Sequence, residues 1–237
     1  MAGHSKFKNI MHRKGAQDAK RAKVFTKVSK EIAVAAQAGK DPAFNPRLRA
    51  ALIKARAAGL PKDRVEKAIH NDTEGNEYVA YGAYGPGGVG IMTECLTNNK
   101  KRVADEIRMV LTKHGGKMQS VDHMFEYIGC LEFRKEDSDR AIEVMIEVPT
   151  HEIRELDDVT QVFVLRDHFE EARNLLHQHY INLSYDGMYW LPTLPVDTLE
   201  EDDLNKLMNV VYALRDNDDV QEVWTTYTPM ILVQDED

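Results

Sequence analysis

The sequence predicts an α+β protein of several domains: an N-terminal three-helix-type bundle followed by two small α+β modules, one inserted in the other. Three observations lead there. A helical apolar period runs through the first seventy residues, and strand and helix runs alternate after about residue 78. A Pro-rich break, Leu191-Pro192-Thr193-Leu194-Pro195, is followed by one more helix and strand. The expected division is 1–77 for the basic helical domain, 78–134 plus 198–234 for one α+β domain, and 135–197 for the inserted one.

In the N-terminal part, residues 2–16 carry Lys6, Lys8, Arg13, Lys14, His4 and His12 with no sustained apolar period, the pattern of a flexible basic arm that orders on a partner. A helix signal starts at about Gln17. Val24, Val28, Ile32 and Ala35 fall in one stripe at 100° per residue, and Lys20, Lys23, Lys27 and Lys30 gather on an adjoining stripe. Gly39 suits the left-handed position after the helix. Asn45-Pro46 then reads as an N-cap followed by Pro at the first helical position, with Leu48, Leu52 and Ala55 inward. Arg47 with Lys54, and Arg49 with Arg56, stack seven residues apart, and Gly59 closes this second helix. Leu60-Pro61 opens a third, with Val65, Ala68 and Ile69 inward and Lys62, Arg64 and Lys67 outward. The polar stretch Asn71 to Glu77 reads as a linker.

Beyond it, Val89 to Leu96 is an apolar strand run, Lys100 to Lys113 a helix, and Met124 to Phe133 a strand, which together predict one βαβ unit. A helix near Asp139 to Glu147, a strand Val159 to Arg166, a helix Asp167 to Tyr180 and a strand Leu183 to Leu191 make a second module. After the Pro-rich break, Thr198 with Glu201 predicts a capping box, then a helix with Leu207, Val210, Val211 and Leu214 inward, then the strand Val220 to Tyr227. This last pair is expected to return to the first α+β module.

Charge divides the chain. Residues 1–70 hold seventeen Lys and Arg against five Asp and Glu, whereas the remainder holds fourteen against thirty-four, so a net charge of −8 conceals a basic body joined to an acidic one. That asymmetry points to a polyanion partner for the basic part. No apolar run approaches the ~20 residues of a membrane span, and the basic start lacks the apolar core of a signal peptide, so a cytoplasmic protein without membrane contact is expected. Cys95 and Cys130 sit in apolar strand runs without metal-ligand spacing and read as reduced core residues.

No arrangement of residues supports an enzyme, a metal site or a cofactor site. Tyr84-Gly85-Pro86-Gly87-Gly88 precedes a strand where a phosphate loop would precede a helix, and Pro86-Gly87 suits the centre of a type II turn. His168, His177 and His179 lack the i, i+4 spacing of ligands on one helix face. The acidic runs Glu200 to Asp203 and Asp216 to Asp219 read as helix N-terminal charge and a turn, with an acidic docking surface as the sharper alternative. Three successive basic helices and a basic arm favour phosphate contact. With few aromatics and no set of side chains for base edges, recognition of backbone and shape is the expectation.

The opening AGHSKFKNIMHRKGAQDAKRAKVFTK, the segment NPRLRAALIKARAAGLPKDRVEKAI at Asn45 to Ile69, the YGPGG turn with GIMTECLTNN after it, and KHGG at Lys113 to Gly116 closely resemble the YebC/PmpR family. Its mitochondrial relatives include the translational activator of cytochrome c oxidase subunit I. The likeness is strongest over residues 2–116. It implies a helical bundle and two ferredoxin-like α+β domains, one inserted in the other. It also implies a role in gene expression, either as a DNA-binding transcriptional regulator or as a ribosome-associated translation factor contacting rRNA and relieving stalling. Carried over by position are His4, Ser5, Lys6, His12, Arg13, Lys14, Lys20, Arg21, Lys23, Arg47, Arg49 and Lys62. With the arm's Lys8, the helical Lys27 and Lys30, and Lys54, these are the expected nucleic-acid contacts. The acidic α+β domains are expected to be available for protein contact.

Overall fold

In a computed structural model of the protein, the structure is described for residues 21–71 and 75–227. The chain divides into two compact units, Met1–Ser120 with Leu199–Trp224, and Val121–Thr198 with Thr225–Asp237.

The first unit begins with three helices. Helix α1 is described over 21–36, α2 spans Pro46–Ala57 and α3 spans Lys62–His70. Their inward stripes close one core around Val28, Ile32, Leu48, Ala51, Ala55 and Ala68, all buried. The short alanines allow close helix approach, and the burial of the Leu and Ile side chains supplies about 1.5–3 kcal/mol each. Val24, placed by its spacing on the inward stripe, is instead exposed. Asn45 does more than cap α2. Its Oδ1 accepts from the Leu48 backbone N–H at 3.0 Å, while its Nδ2 donates to the Ala35 and Gly39 carbonyls at 2.7 and 2.6 Å. One buried side chain therefore pins the end of α1 to the start of α2. At the far end of α2, Gly59 takes φ 69°, Leu60 N–H donates to Ala55 O and Gly59 N–H donates to Arg56 O, a Schellman ending.

The same unit holds a four-stranded sheet. Strand β1 is Glu77–Tyr84, β2 Gly90–Thr97, β3 Lys117–Met118 and β8 Val220–Thr225, in the order β3-β1-β2-β8. Helix α4 (Lys100–Lys113) connects β2 to β3, and α7 (Glu201–Arg215) precedes β8. Both β2 and β3 run antiparallel to β1, so β2-α4-β3 is a crossover spanning the strand between them. The β1–β2 turn is the one expected from its sequence: Gly88 N–H donates to Gly85 O at 3.2 Å across Pro86 and Gly87, and Gly87 has φ 65°. The Thr198 capping box is not formed, because α7 begins after Glu200 with no side-chain cap.

The second unit contains β4 (Phe125–Arg134), α5 (Ser138–Val144), β5 (Thr150–Glu155), β6 (Val159–Val164), α6 (Phe169–Gln178) and β7 (Leu183–Pro192). Their βαββαβ order, with the sheet ordered β5-β6-β4-β7 and every neighbour antiparallel, is the ferredoxin-like arrangement.

This corrects the sequence reading at one strand. The run Met124 to Phe133, read from sequence as closing a βαβ unit with Val89 to Leu96 and α4, forms β4. It instead pairs with β6 and β7, and the strand that follows α4 is the two-residue β3. The expected boundary at residue 134 therefore falls inside the second sheet's territory, since β4 is that sheet's first strand. An apolar run buried on both faces fits a central strand of either sheet, so its composition carries no preference.

Gly129 shows how tightly β4 is held under α6. A Cβ added there would lie within 2.9 Å of Phe169 Cγ and 3.0 Å of Phe169 Cβ. Gly129→Ala should therefore lower stability by about 1–3 kcal/mol through overpacking, seen as a lower thermal midpoint. An unchanged midpoint would show that Phe169 moves aside freely.

Candidate nucleic-acid interface

Each face of α1 has a different occupant. One carries the core. On the second, Lys23, Lys27 and Lys30 meet the turn joining α7 to β8. The Lys23 ammonium pairs with the Asp216 carboxylate and donates to its carbonyl, Lys27 donates to Arg215 O at 2.8 Å, and Lys30 donates to Asp218 O and pairs with Asp219.

Asp219 is the hub of this contact. Its buried carboxylate also accepts from Arg102 of α4 and from Thr97 Oγ1 of β2. Burial alone would raise its pKa, but the hydrogen bonds and charges of Lys30 and Arg102 outweigh that and hold it below the ordinary carboxylate value. Asn217 continues the network, its Nδ2 donating to Glu106 Oε2 at 2.7 Å. The acidic run at Asp216 to Asp219, read from sequence as a turn, is a turn that also fastens α1 to the sheet.

A second charged cluster lies between α1, α2 and β8. Lys54 pairs with Glu31 at 3.0 Å, and this attraction keeps its pKa raised although burial opposes it. Burial pushes Glu222 above the ordinary carboxylate range, which Lys54, Arg215 and Lys27 only partly offset, while burial lowers the pKa of Lys27. A carboxyl with a raised folded pKa costs stability once the pH exceeds its unfolded pKa. Glu222→Gln should therefore raise stability at neutral pH, the difference from wild type closing as the pH falls below about 4. A destabilised variant in thermal melts at pH 7 would show that the charge is needed.

Arg47, expected on the nucleic acid, lies with its guanidinium 4.3 Å from the centroid of the Tyr78 ring. Lys54 is engaged as above. Arg49 and Lys62 are exposed. Arg21 sits over the Phe25 ring at 5.2 Å, and Arg64 of α3 lies 5.7 Å from the same ring. His4, Ser5, Lys6, Lys8, His12, Arg13, Lys14 and Lys20 lie outside the described residues.

The third face of α1 is where cations remain available. Between α1 and α3 runs an open groove of about 630 Å³, with Phe25, Ala33 and Ala68 along it, Arg64, Lys67 and His70 of α3 beside the hydroxyls of Thr26 and Ser29, and Lys30, already paired with Asp219, at its edge. No carboxylate lines it among the described residues. Arg64, Lys67 and His70 were not among the expected contacts. The signal available for them was their i, i+3, i+6 spacing, which sets three basic side chains along one side of α3. The groove can take an anionic chain: separated charges meet successive phosphates, and the small residues beside them leave room for a backbone.

Residues 5–75 match the model of the TACO1/YebC protein N-terminal domain, and residues 76–227 that of the TACO1/YebC second and third domain. The chain belongs to the TACO1/YebC family. A probable transcriptional regulatory protein of Geobacillus kaustophilus (strain HTA426) is 39% identical to this YebC chain, with 98% of the chain and 99% of the relative aligned. The crystal structure of a conserved hypothetical protein from Aquifex aeolicus is similar with a TM-score of 0.78 and 32% identity, covering 89% of this chain and 91% of that one. The resemblance in the arm, the second helix and the YGPGG turn thus extends along nearly the whole chain.

Proposed function

We propose that this YebC-family chain is a nucleic-acid-binding regulator of gene expression that holds the phosphate backbone through its basic N-terminal helical domain. The observation that carries this is the α1–α3 groove, where Arg64 and Lys67 line a channel free of described carboxylates in a chain of net charge −8. The relative from Geobacillus kaustophilus, a probable transcriptional regulatory protein, favours duplex DNA as the target and transcription as the process.

A second reading, a ribosome-associated translation factor on rRNA, is favoured by a different feature. The groove is walled by two helices and its cations do not sit on one protruding helix, a geometry for phosphates and shape, which is how structured RNA is recognised. The full chain, titrated with duplex DNA and with purified ribosomes over a salt series, tests both. Binding whose logarithm falls linearly with the logarithm of salt concentration supports phosphate contact. Preference for DNA supports the first reading, and preference for ribosomes, with cosedimentation from lysate at low salt, supports the second. Failure to bind either at low salt overturns both.

A further inference from the structure

We infer that Phe44 and Arg49 form a nucleotide-binding tip on the helical domain, the ring stacking on an unpaired base and the guanidinium meeting its phosphate. This rests on the nucleic-acid reading above and adds a contact outside the groove.

Phe44 is 88% exposed, the most exposed large apolar side chain among the described residues. It is not exposed because its loop lacks structure. Ala43 N–H donates to Asp41 Oδ1 at 2.9 Å, Phe44 N–H donates to Asp41 O at 3.2 Å, and the next residue, Asn45, is buried and bonded to three backbone groups. The backbone on both sides is fixed, so the ring is held outward.

The usual reason for an apolar residue at this position does not apply. A residue just before the N-cap ordinarily packs on the fourth residue of the helix as a hydrophobic staple. Here the fourth residue is Arg49, itself exposed, and the ring remains in water. The capped first turn nevertheless brings these two positions together. An exposed aromatic ring and an exposed cation at the N′ and fourth positions of one capped turn match the two parts of one nucleotide: stacking is worth about a tenfold or greater change in affinity per base, and the cation takes the adjoining phosphate. Asp41 is the nearby opposing charge, but both its side chain and its carbonyl accept hydrogen bonds from the loop backbone.

The test compares full-length wild type, Phe44→Ala and Arg64→Glu/Lys67→Glu for binding to short oligo(U) and to the same backbone made abasic. Phe44→Ala should bind oligo(U) about tenfold more weakly, bind the abasic strand as wild type does, and keep the wild-type salt dependence, since no charge is lost. Its thermal midpoint should not change. Phe44→Trp should restore binding and show an emission change on adding oligo(U) beyond that of wild type. If Phe44→Ala binds oligo(U) as tightly as wild type while Arg64→Glu/Lys67→Glu binds more weakly, the tip is wrong and the groove stands. If wild type binds neither strand at low salt, the tip is wrong, while the nucleic-acid reading stands or falls with the duplex DNA and ribosome titration.

Discussion

Asp219→Ala is expected to cost roughly 3 kcal/mol, at the lower end of what breaking a buried ion pair costs, and to lower the thermal midpoint by about 6–12 °C. The carboxylate is buried and joins Lys30 of α1, Arg102 of α4 and Thr97 of β2. Removing it leaves Lys30 and Arg102 without the buried carboxylate that joins them, and the more exposed charges of Asp216 and Asp218 do not replace it. Because the folded pKa lies below the unfolded one, the carboxylate's contribution is complete above the ordinary carboxylate value near 4 and is lost as the pH falls through the lowered one. Wild type should therefore lose stability on acidification over that range more steeply than Asp219→Ala. The neighbouring Asp216, mostly exposed, provides the contrast. Asp216→Ala should change stability by less than about 1 kcal/mol. Equal effects at the two positions would show that burial at Asp219 has no special role.

The second large effect is on binding. Arg64→Glu/Lys67→Glu should make the slope of log affinity against log salt shallower by about two, since each phosphate contact on duplex DNA contributes ~0.9. Both side chains are exposed and away from the core, so folding should be unaffected. This pair separates binding from stability in a way that reversing Lys20, Lys23 and Lys27 does not. Two of those lysines hold the α7–β8 turn, and changing them would loosen the first unit at the same time. An unchanged slope in the double variant, with wild type binding DNA, would move the interface away from the groove.

Much of the architecture was legible because it is encoded locally. Asn45-Pro46 and Gly59 mark helix ends through the conformations those residues allow, whereas α1 ends at residue 36 and Gly39 takes φ 145° outside the left-handed helical position; Val28, Ile32 and Leu48 keep the helical period. Strands β1, β3 and β5 left no comparable signal. β1 mixes Gly, Ala and Tyr and is only partly buried, β3 has two residues, and β5, Thr150–Glu155, alternates polar with half-buried residues at a sheet edge. The misassigned β4 had the clearest strand pattern of all, but pattern specifies a strand and not its neighbours. For the candidate site, the sequence showed that α1 is basic but not what its lysines face. Lys23 and Asp216 are 193 positions apart, and no local rule joins them.

The two units also differ in how they are threaded, which bears on the order in which they can form during synthesis. All six elements of the second unit's sheet and helices lie within one continuous stretch ending at Pro192. The first unit is discontinuous: α1 through β3 emerge early, but β8, the outer neighbour of β2, and Asp219, the anchor of α1, are made only after the whole of that stretch. A ribosome therefore releases the ferredoxin-like unit ready to fold while the basic bundle still lacks its anchor. Until the turn at Asp216 to Asp219 is made, Lys23, Lys27 and Lys30 have no acidic turn to meet, and the nascent chain carries more uncovered positive charge there than the folded unit.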